Sequence, residues 1–154
     1  MISPILCYGS EIWGTTYCST IESVQIKFCK SILKVGRSTC NNMVLGECGR
    51  VPLQFVYMTK AIKYWCRLLH LSNNRLPKQC YFMLKALDDS GRNTWATKIK
   101  NVLYQFGFGY TWISQDVGDI KVFLSLFKQR LHDNLVQSWQ SSLQSNRKCF
   151  LQSI

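Results

Sequence analysis

Apolar residues in this chain of 154 residues recur at intervals of three and four, and this spacing constrains its fold more than any other feature. An α-helix turns once in 3.6 residues, so the spacing places apolar side chains on one face of each helix. Strand-type alternation is not sustained anywhere, and none of the three prolines interrupts the pattern. The sequence predicts an all-α fold, an irregular array of five to six helices, forming one domain over residues 1–145 with a frayed polar tail at 146–154.

Six segments are predicted to be helical: residues 20–35, 41–48, 52–71, 76–87, 94–106 and 117–142. Ser19 and Glu22 suggest a capping box at the start of the first helix, and Gly36 suggests its end. Pro52 suits the first position of the third. Three of these segments have an apolar face that we expect to be buried. The faces are Ile21, Val24, Phe28, Ile32 and Val35 in segment 20–35; Tyr57, Ala61, Tyr64, Trp65 and Leu68 in segment 52–71; and Ile120, Phe123, Leu124, Phe127, Leu131 and Leu135 in segment 117–142.

The net charge of +11 is concentrated in one stretch of the chain. Residues 23–87 contain eleven Lys or Arg and one acid, Glu47, so this stretch has a net charge of +10 and the rest of the chain has +1. Such a concentration favours a polyanionic partner, and a solvated surface of a helical protein is the alternative. The candidate phosphate contacts are two helical stripes and two residues in connectors: Lys27, Lys30, Lys34, Lys60, Lys63, Arg67, Arg37 and Arg50. Tyr64 and Trp65 border the second stripe, and their positions favour the core over base stacking.

The sequence contains no recognisable catalytic constellation. It has no phosphate-binding glycine loop and no nucleophile elbow. Asp88 and Asp89 are adjacent but lack a third carboxylate, and we expect them to be solvated at the end of a helix. The eight cysteines form no C-x-x-C pair, so we expect small buried side chains and neither a metal nor a cofactor. No apolar run reaches the roughly 18 residues of a membrane helix, and no signal peptide is apparent, which predicts an intracellular protein in the cytoplasm or nucleus.

Five segments resemble, in order and spacing, the polyproteins of non-LTR (LINE-type) retrotransposons. Residues 4–14 read PILCYGSEIWG, similar to the family's PILLYGSEVWG, and residues 21–30 read IESVQIKFCK, similar to IEKVQLKFCK. Residues 38–53 contain VLGECGR followed by PL, similar to VLGELGR and PL. Residues 62–65, residues 127–131 and Trp139 also fit, so the resemblance extends over nearly the whole chain.

The resemblance implies a non-catalytic C-terminal region that follows the thumb of a reverse transcriptase. The family's aromatic-x-Asp-Asp motif has no counterpart here, since Asp88 and Asp89 lie on the wrong side of the segment. Because Met1 falls almost at the start of the resembling region, we expect a fragment truncated on its N-terminal side. The expected partners are the phosphate backbone of RNA or DNA and the upstream polymerase body. The alternatives are a helical scaffold module without nucleic-acid contact and a decayed element with no selected function.

Overall fold

The computed structural model describes residues 3–151, with side chains for residues 3–141, and within that range its regular secondary structure is helical. Within these residues, nine helices follow one another: α1 (Ser3–Leu6), α2 (Ser10–Trp13), α3 (Ser19–Leu33), α4 (Asn41–Glu47), α5 (Leu53–His70), α6 (Leu76–Asp89), α7 (Trp95–Gln105), α8 (Gly109–Ser114) and α9 (Ile120–Leu151). None of these helices combines the length and the apolar composition that crossing a membrane requires.

The predicted all-α class is confirmed, whereas the predicted number of five to six helices is wrong. The six predicted segments correspond to α3, α4, α5, α6, α7 and α9. The three further helices, α1, α2 and α8, have only four to six residues each. A helix of one turn cannot display a repeating apolar face, so periodicity gave no signal for them. The predicted tail begins inside α9, whose helix continues to Leu151, and residues 152–154 lie outside the described range.

Helix α5 is the centre of the main hydrophobic core. It buries eight side chains and contacts α2, α3, α6, α7 and α9. Four members of its predicted stripe are fully or almost fully buried, as expected: Tyr57, Ala61, Trp65 and Leu68. Tyr64, the fifth, is half-buried and packs edge-on against Trp95, with the ring centres 6.0 Å apart. The stripe is therefore core, which confirms the interpretation favoured for Tyr64 and Trp65.

A chain of hydrogen bonds pairs the polar groups of two large aromatic side chains inside this core, Trp65 and Tyr81. The Trp65 indole N–H donates to the Tyr81 hydroxyl at 3.0 Å, and that hydroxyl donates to Gln115 Oε1 at 2.5 Å. These bonds join α5, α6 and the residue that ends α8. Buried tryptophan and tyrosine need such partners, because an unpaired buried N–H or O–H destabilises the fold.

The first half of α9 closes the core along its predicted stripe. Four of the six predicted residues are buried, and Ile120 and Leu135 are half-buried beside them: Phe123, Leu124, Phe127 and Leu131. Phe127 packs edge-on against Phe106, with a centroid separation of 5.6 Å. The 3.6-residue period therefore identified the correct face of α9 as well as of α5.

Helix α3 contradicts its predicted orientation. Its buried residues are Glu22, Gln25 and Cys29, while four of the five predicted core residues are exposed: Val24 by 38%, Phe28 by 38%, Ile32 by 60% and Val35 by 38%. The Glu22 carboxylate explains the orientation, because its two oxygens accept hydrogen bonds from the backbone N–H groups of Leu53 and Gln54 at the start of α5. Those bonds turn the Glu22 side of α3 inward.

The predicted ends of α3 are also wrong. Ser19 makes no capping box, because the Glu22 side chain that would complete it is bound to α5. At the other end Lys34, rather than Gly36, takes the left-handed conformation that closes the helix, with φ 52°. Its N–H donates to the Ser31 carbonyl, and the Val35 N–H donates to Lys30. Pro52 stands one position before α5 instead of opening it.

Candidate nucleic-acid interface

Four of the predicted basic residues line one groove beside α3. This groove, which we call the basic groove, has a volume of about 840 Å³ and is lined by Lys27, Lys30, Lys34 and Arg37. Its apolar lining includes Tyr17, Ile26 and Val35. A volume of this order matches the roughly 300–1,000 Å³ of ordinary ligand sites.

Helical spacing and one hydrogen bond place the four cations together. Lys27, Lys30 and Lys34 are separated by three and four residues, so they share one side of the helix over about 10 Å of its axis. The Lys30 Nζ donates to the Arg37 carbonyl oxygen at 2.7 Å, which folds the connector after α3 back onto the helix. Lys27, Lys34 and Arg37 are exposed, whereas Lys30 is half-buried. Three of the four cations are therefore open to an anionic ligand.

Glu22 is the one acidic residue among those lining the basic groove. Its oxygens lie 3.0 Å from the Leu53 nitrogen and 2.6 Å from the Gln54 nitrogen. Burial raises the pKa of Glu22, and the two backbone hydrogen bonds offset part of that rise. Because the carboxylate points at the N-terminus of α5, its charge is matched there and does not neutralise the groove lysines.

The α5 stripe does not join this groove. Lys60 is half-buried and its Nζ donates to the Cys7 carbonyl at 3.1 Å, which holds the α1–α2 turn against α5. Lys63 and Arg67 are exposed on α5, and neither lines the basic groove. Arg50 is exposed and lines a different cavity, of about 240 Å³, beside Trp139 of α9. The eight predicted positions are thus divided among three places.

Tyr17 is the groove residue that sequence reasoning missed. Its side chain is 58% exposed, and it lies before the start of α3 where no periodic pattern assigns it a face. An exposed aromatic ring beside several cations suits base stacking. Its one sequence signal is its position two residues before the predicted capping residue Ser19, directly upstream of a lysine-bearing helix.

The adjacent carboxylates Asp88 and Asp89 form ion pairs instead of a metal site. Asp88 is buried, contrary to expectation, and accepts from Lys100 at 3.2 Å, while exposed Asp89 accepts from Lys85 at the same distance. Burial acts to raise the pKa of Asp88, but hydrogen bonds from Thr97 and Lys100 and the lysine charge outweigh it, so the pKa is lowered. Across the described residues, no three His, Cys, Asp or Glu side chains are grouped as metal ligands.

Comparison with known proteins identifies no relative of this chain. No family model, curated protein or solved structure matches the chain.

Proposed function

We propose that this chain is a non-catalytic C-terminal segment of a LINE-type reverse transcriptase polyprotein, and that its basic groove contacts RNA or DNA. Two observations support the proposal: the sequence resemblance, and the gathering of Lys27, Lys30, Lys34 and Arg37 along one groove. The gathered cations are the single observation that carries the binding role. The proposal places the protein inside the cell, in the cytoplasm or the nucleus.

The charges of the groove suit the phosphate backbone better than a single small anion. Phosphate-driven binding needs several Lys or Arg side chains on one surface and no fixed motif. Lys27 and Arg37 lie on either side of the last turn of α3, so the cations form a row that suits the extended backbone of a nucleic acid. Tyr17 would add a flat ring for a base.

Stabilisation of the C-terminus of α3 is the competing explanation for these cations. Positive side chains near the last turn offset the helix dipole by about 0.3–1 kcal/mol each. Lys30 suits that role, since it lies in the last turn and binds the Arg37 carbonyl. Lys27 lies before that turn, and the exposed guanidinium of Arg37 lies beyond it. The dipole therefore accounts for Lys30 better than for Lys27 or Arg37.

A pair of charge reversals tests the proposed binding. We expect the double variant Lys27→Glu with Lys34→Glu to bind a fluorescent single-stranded RNA or a DNA duplex at least about tenfold more weakly at low salt. The matched control reverses two exposed lysines outside the groove, Lys98 and Lys121, and changes the net charge equally. Equal losses in the two variants would show that net charge, and not the groove, governs binding.

A second candidate function is a helical module that packs against the polymerase body. The exposed apolar stripe of α3 favours it, and further exposed apolar residues lie in and near α1 and α2: Ile5, Tyr8 and Ile12. Apolar surface of this kind often marks a protein interface. The double variant Lys63→Glu with Arg67→Glu tests the charges of the α5 stripe by themselves. It leaves Lys60 in place, because the Lys60 ammonium group holds the Cys7 carbonyl.

The two candidates predict different responses to one apolar substitution. Ile32→Ser should leave RNA and DNA binding within about twofold if the groove is the functional surface, because a surface change away from the contact has little effect. Under the packing function it should weaken association with the polymerase body, measured by co-purification of separately expressed segments. Loss of nucleic-acid binding by Ile32→Ser, in a folded variant, would contradict the groove assignment.

A further inference from the structure

Two thiols meet where α3 packs against α4. Cys29 is 3% exposed and forms a small cluster with Val44 and Leu45 of α4. Cys48, the residue that ends α4, is half-buried and packs against the same cluster. Cys29 and Cys48 therefore pack into one cluster from two helical segments, and the neighbouring Cys48 acts to raise the pKa of Cys29.

We propose that Cys29 and Cys48 are a reversible disulfide site, which closes in the presence of a disulfide oxidant such as oxidised glutathione. Both residues are free thiols in the structure, and they belong to different helical segments, so a bond between them would fasten the end of α4 to α3. The inference is independent of nucleic-acid binding, because neither cysteine lines the basic groove.

The reaction proceeds by two thiol–disulfide exchanges. The more accessible Cys48 loses its proton and its thiolate attacks oxidised glutathione, which forms a mixed disulfide and releases one glutathione thiolate. The Cys29 thiolate then attacks the Cys48 sulfur and expels the second glutathione. Each released glutathione thiolate takes up one of the two protons. Two cysteine thiols are thereby oxidised to one disulfide, and one oxidised glutathione is reduced to two glutathione molecules.

The local backbone can accommodate the shorter distance between the sulfur atoms. A disulfide brings them to about 2.05 Å, closer than two thiols in contact. Cys48 lies outside the regular part of α4, and the next residue, Gly49, has φ 58° with open space around its α-carbon. Glycine tolerates changes of backbone angle better than any other residue. Cys48 can therefore move toward Cys29 without unwinding α3.

The second exchange should depend on pH. Burial raises the pKa of Cys29, the neighbouring Cys48 raises it further, and the charge of Arg50 lowers it in part. Since only the thiolate attacks, we expect the mixed disulfide on Cys48 to decay about tenfold faster per pH unit while the pH stays below the Cys29 pKa.

Peptide mapping of the native full chain tests the site directly. The protein is incubated with oxidised glutathione and then denatured at mildly acidic pH, where N-ethylmaleimide alkylates every free thiol, the buried Cys29 included. The digest is analysed without reduction. We expect a Cys29–Cys48 cross-linked peptide as the main disulfide, with a mass two hydrogens lower, removed by dithiothreitol. The oxidised protein should also melt at a higher temperature, since a cross-link restricts the unfolded chain.

Two variants make the outcome specific. Cys80→Ser removes an exposed thiol elsewhere and should give the same cross-link, whereas Cys48→Ser should leave Cys29 fully alkylatable. Persistent glutathione on Cys48 with unmodified Cys29, or a cross-link of Cys29 to another cysteine, would overturn the proposal. The decisive measurement uses the wild-type chain, so it stands even if a variant fails to fold.

Discussion

Helices α5 and α3 have similar amphipathic sequences and opposite roles in the structure. The apolar stripe of α5 is the centre of the large core, and four of its five members are buried. The apolar stripe of α3 is largely exposed, and its inward side contributes Glu22 and Gln25. Only Cys29 of that inward side joins the small cluster with α4.

The difference shows that periodicity locates an apolar face without stating what covers it. Six helices other than α3 contribute side chains to the α5 core, so hydrophobic burial determines the orientation of α5. α3 lies at the edge, where two hydrogen bonds to a helix N-terminus can decide which side turns inward. Exposure of the apolar stripe is the consequence.

The largest expected effect comes from the same substitution made in both helices. Ile62→Ala in α5 removes a fully buried side chain, whereas Ile32→Ala in α3 trims one that is 60% exposed. We expect the free energy of unfolding to fall by about 2–5 kcal/mol for Ile62→Ala and by less than about 0.5 kcal/mol for Ile32→Ala. Urea denaturation measures both. Similar losses would mean that the α3 stripe is covered in solution.

Removal of the Glu22 carboxylate should have the next largest effect. Glu22→Ala leaves the buried N–H groups at the start of α5 without their acceptor, which should destabilise the protein by about 1–3 kcal/mol. Glu47→Ala, at the exposed end of α4, is the matched loss of charge and should change stability by less than about 0.5 kcal/mol. Equal effects of the two substitutions would remove the basis for the orientation of α3.

Two substitutions of Lys34 distinguish its effect on stability from its effect on nucleic-acid binding. Its left-handed conformation disfavours any residue with a side chain, so Lys34→Gly should raise the free energy of unfolding by about 0.5–1 kcal/mol over Lys34→Ala. Both variants lose the same groove cation and should bind nucleic acid equally weakly. Thermal melts and binding titrations of the pair provide the check. A Gly variant less stable than the Ala variant would refute the assigned helix end.

The smallest effects should appear in the pH dependence of stability, with opposite signs for Glu22 of α3 and Asp88 of α6. The folded pKa of Glu22 is raised, so the pH-dependent part of its contribution to stability is complete below the ordinary pKa of a glutamic acid and is lost as the pH rises through the folded pKa. The folded pKa of Asp88 is lowered, so the pH-dependent part of its contribution to stability is complete above the ordinary pKa of an aspartic acid and is lost as the pH falls through the folded pKa.

Acid titration of the corresponding amide variants measures both contributions. As the pH rises, wild type should lose stability relative to Glu22→Gln and gain stability relative to Asp88→Asn. A shared sign in the two differences would contradict the environments assigned to Glu22 and Asp88.

Sequence reasoning succeeded where burial alone decides, as for the faces of α5 and α9. It failed for α3 because the deciding contacts join Glu22 to residues 53 and 54, and a contact distant in sequence leaves no periodic signal. The basic groove was anticipated only as a stripe on one helix, and its separation from Lys60, Lys63 and Arg67 depends on packing. The Cys29–Cys48 contact likewise arises from the packing of α3 on α4 and has no motif.

The salt dependence of nucleic-acid binding tests the central claim most directly. For the wild-type chain and a labelled RNA oligomer, a plot of the logarithm of the binding constant against that of salt concentration should have a slope of roughly −3 if about four phosphates are neutralised. Lys27→Ala with Lys34→Ala should make the slope less steep by about 1.5, and Lys98→Ala with Lys121→Ala should leave it unchanged. A flat response, or equal slopes in all three proteins, would contradict a nucleic-acid role for the groove.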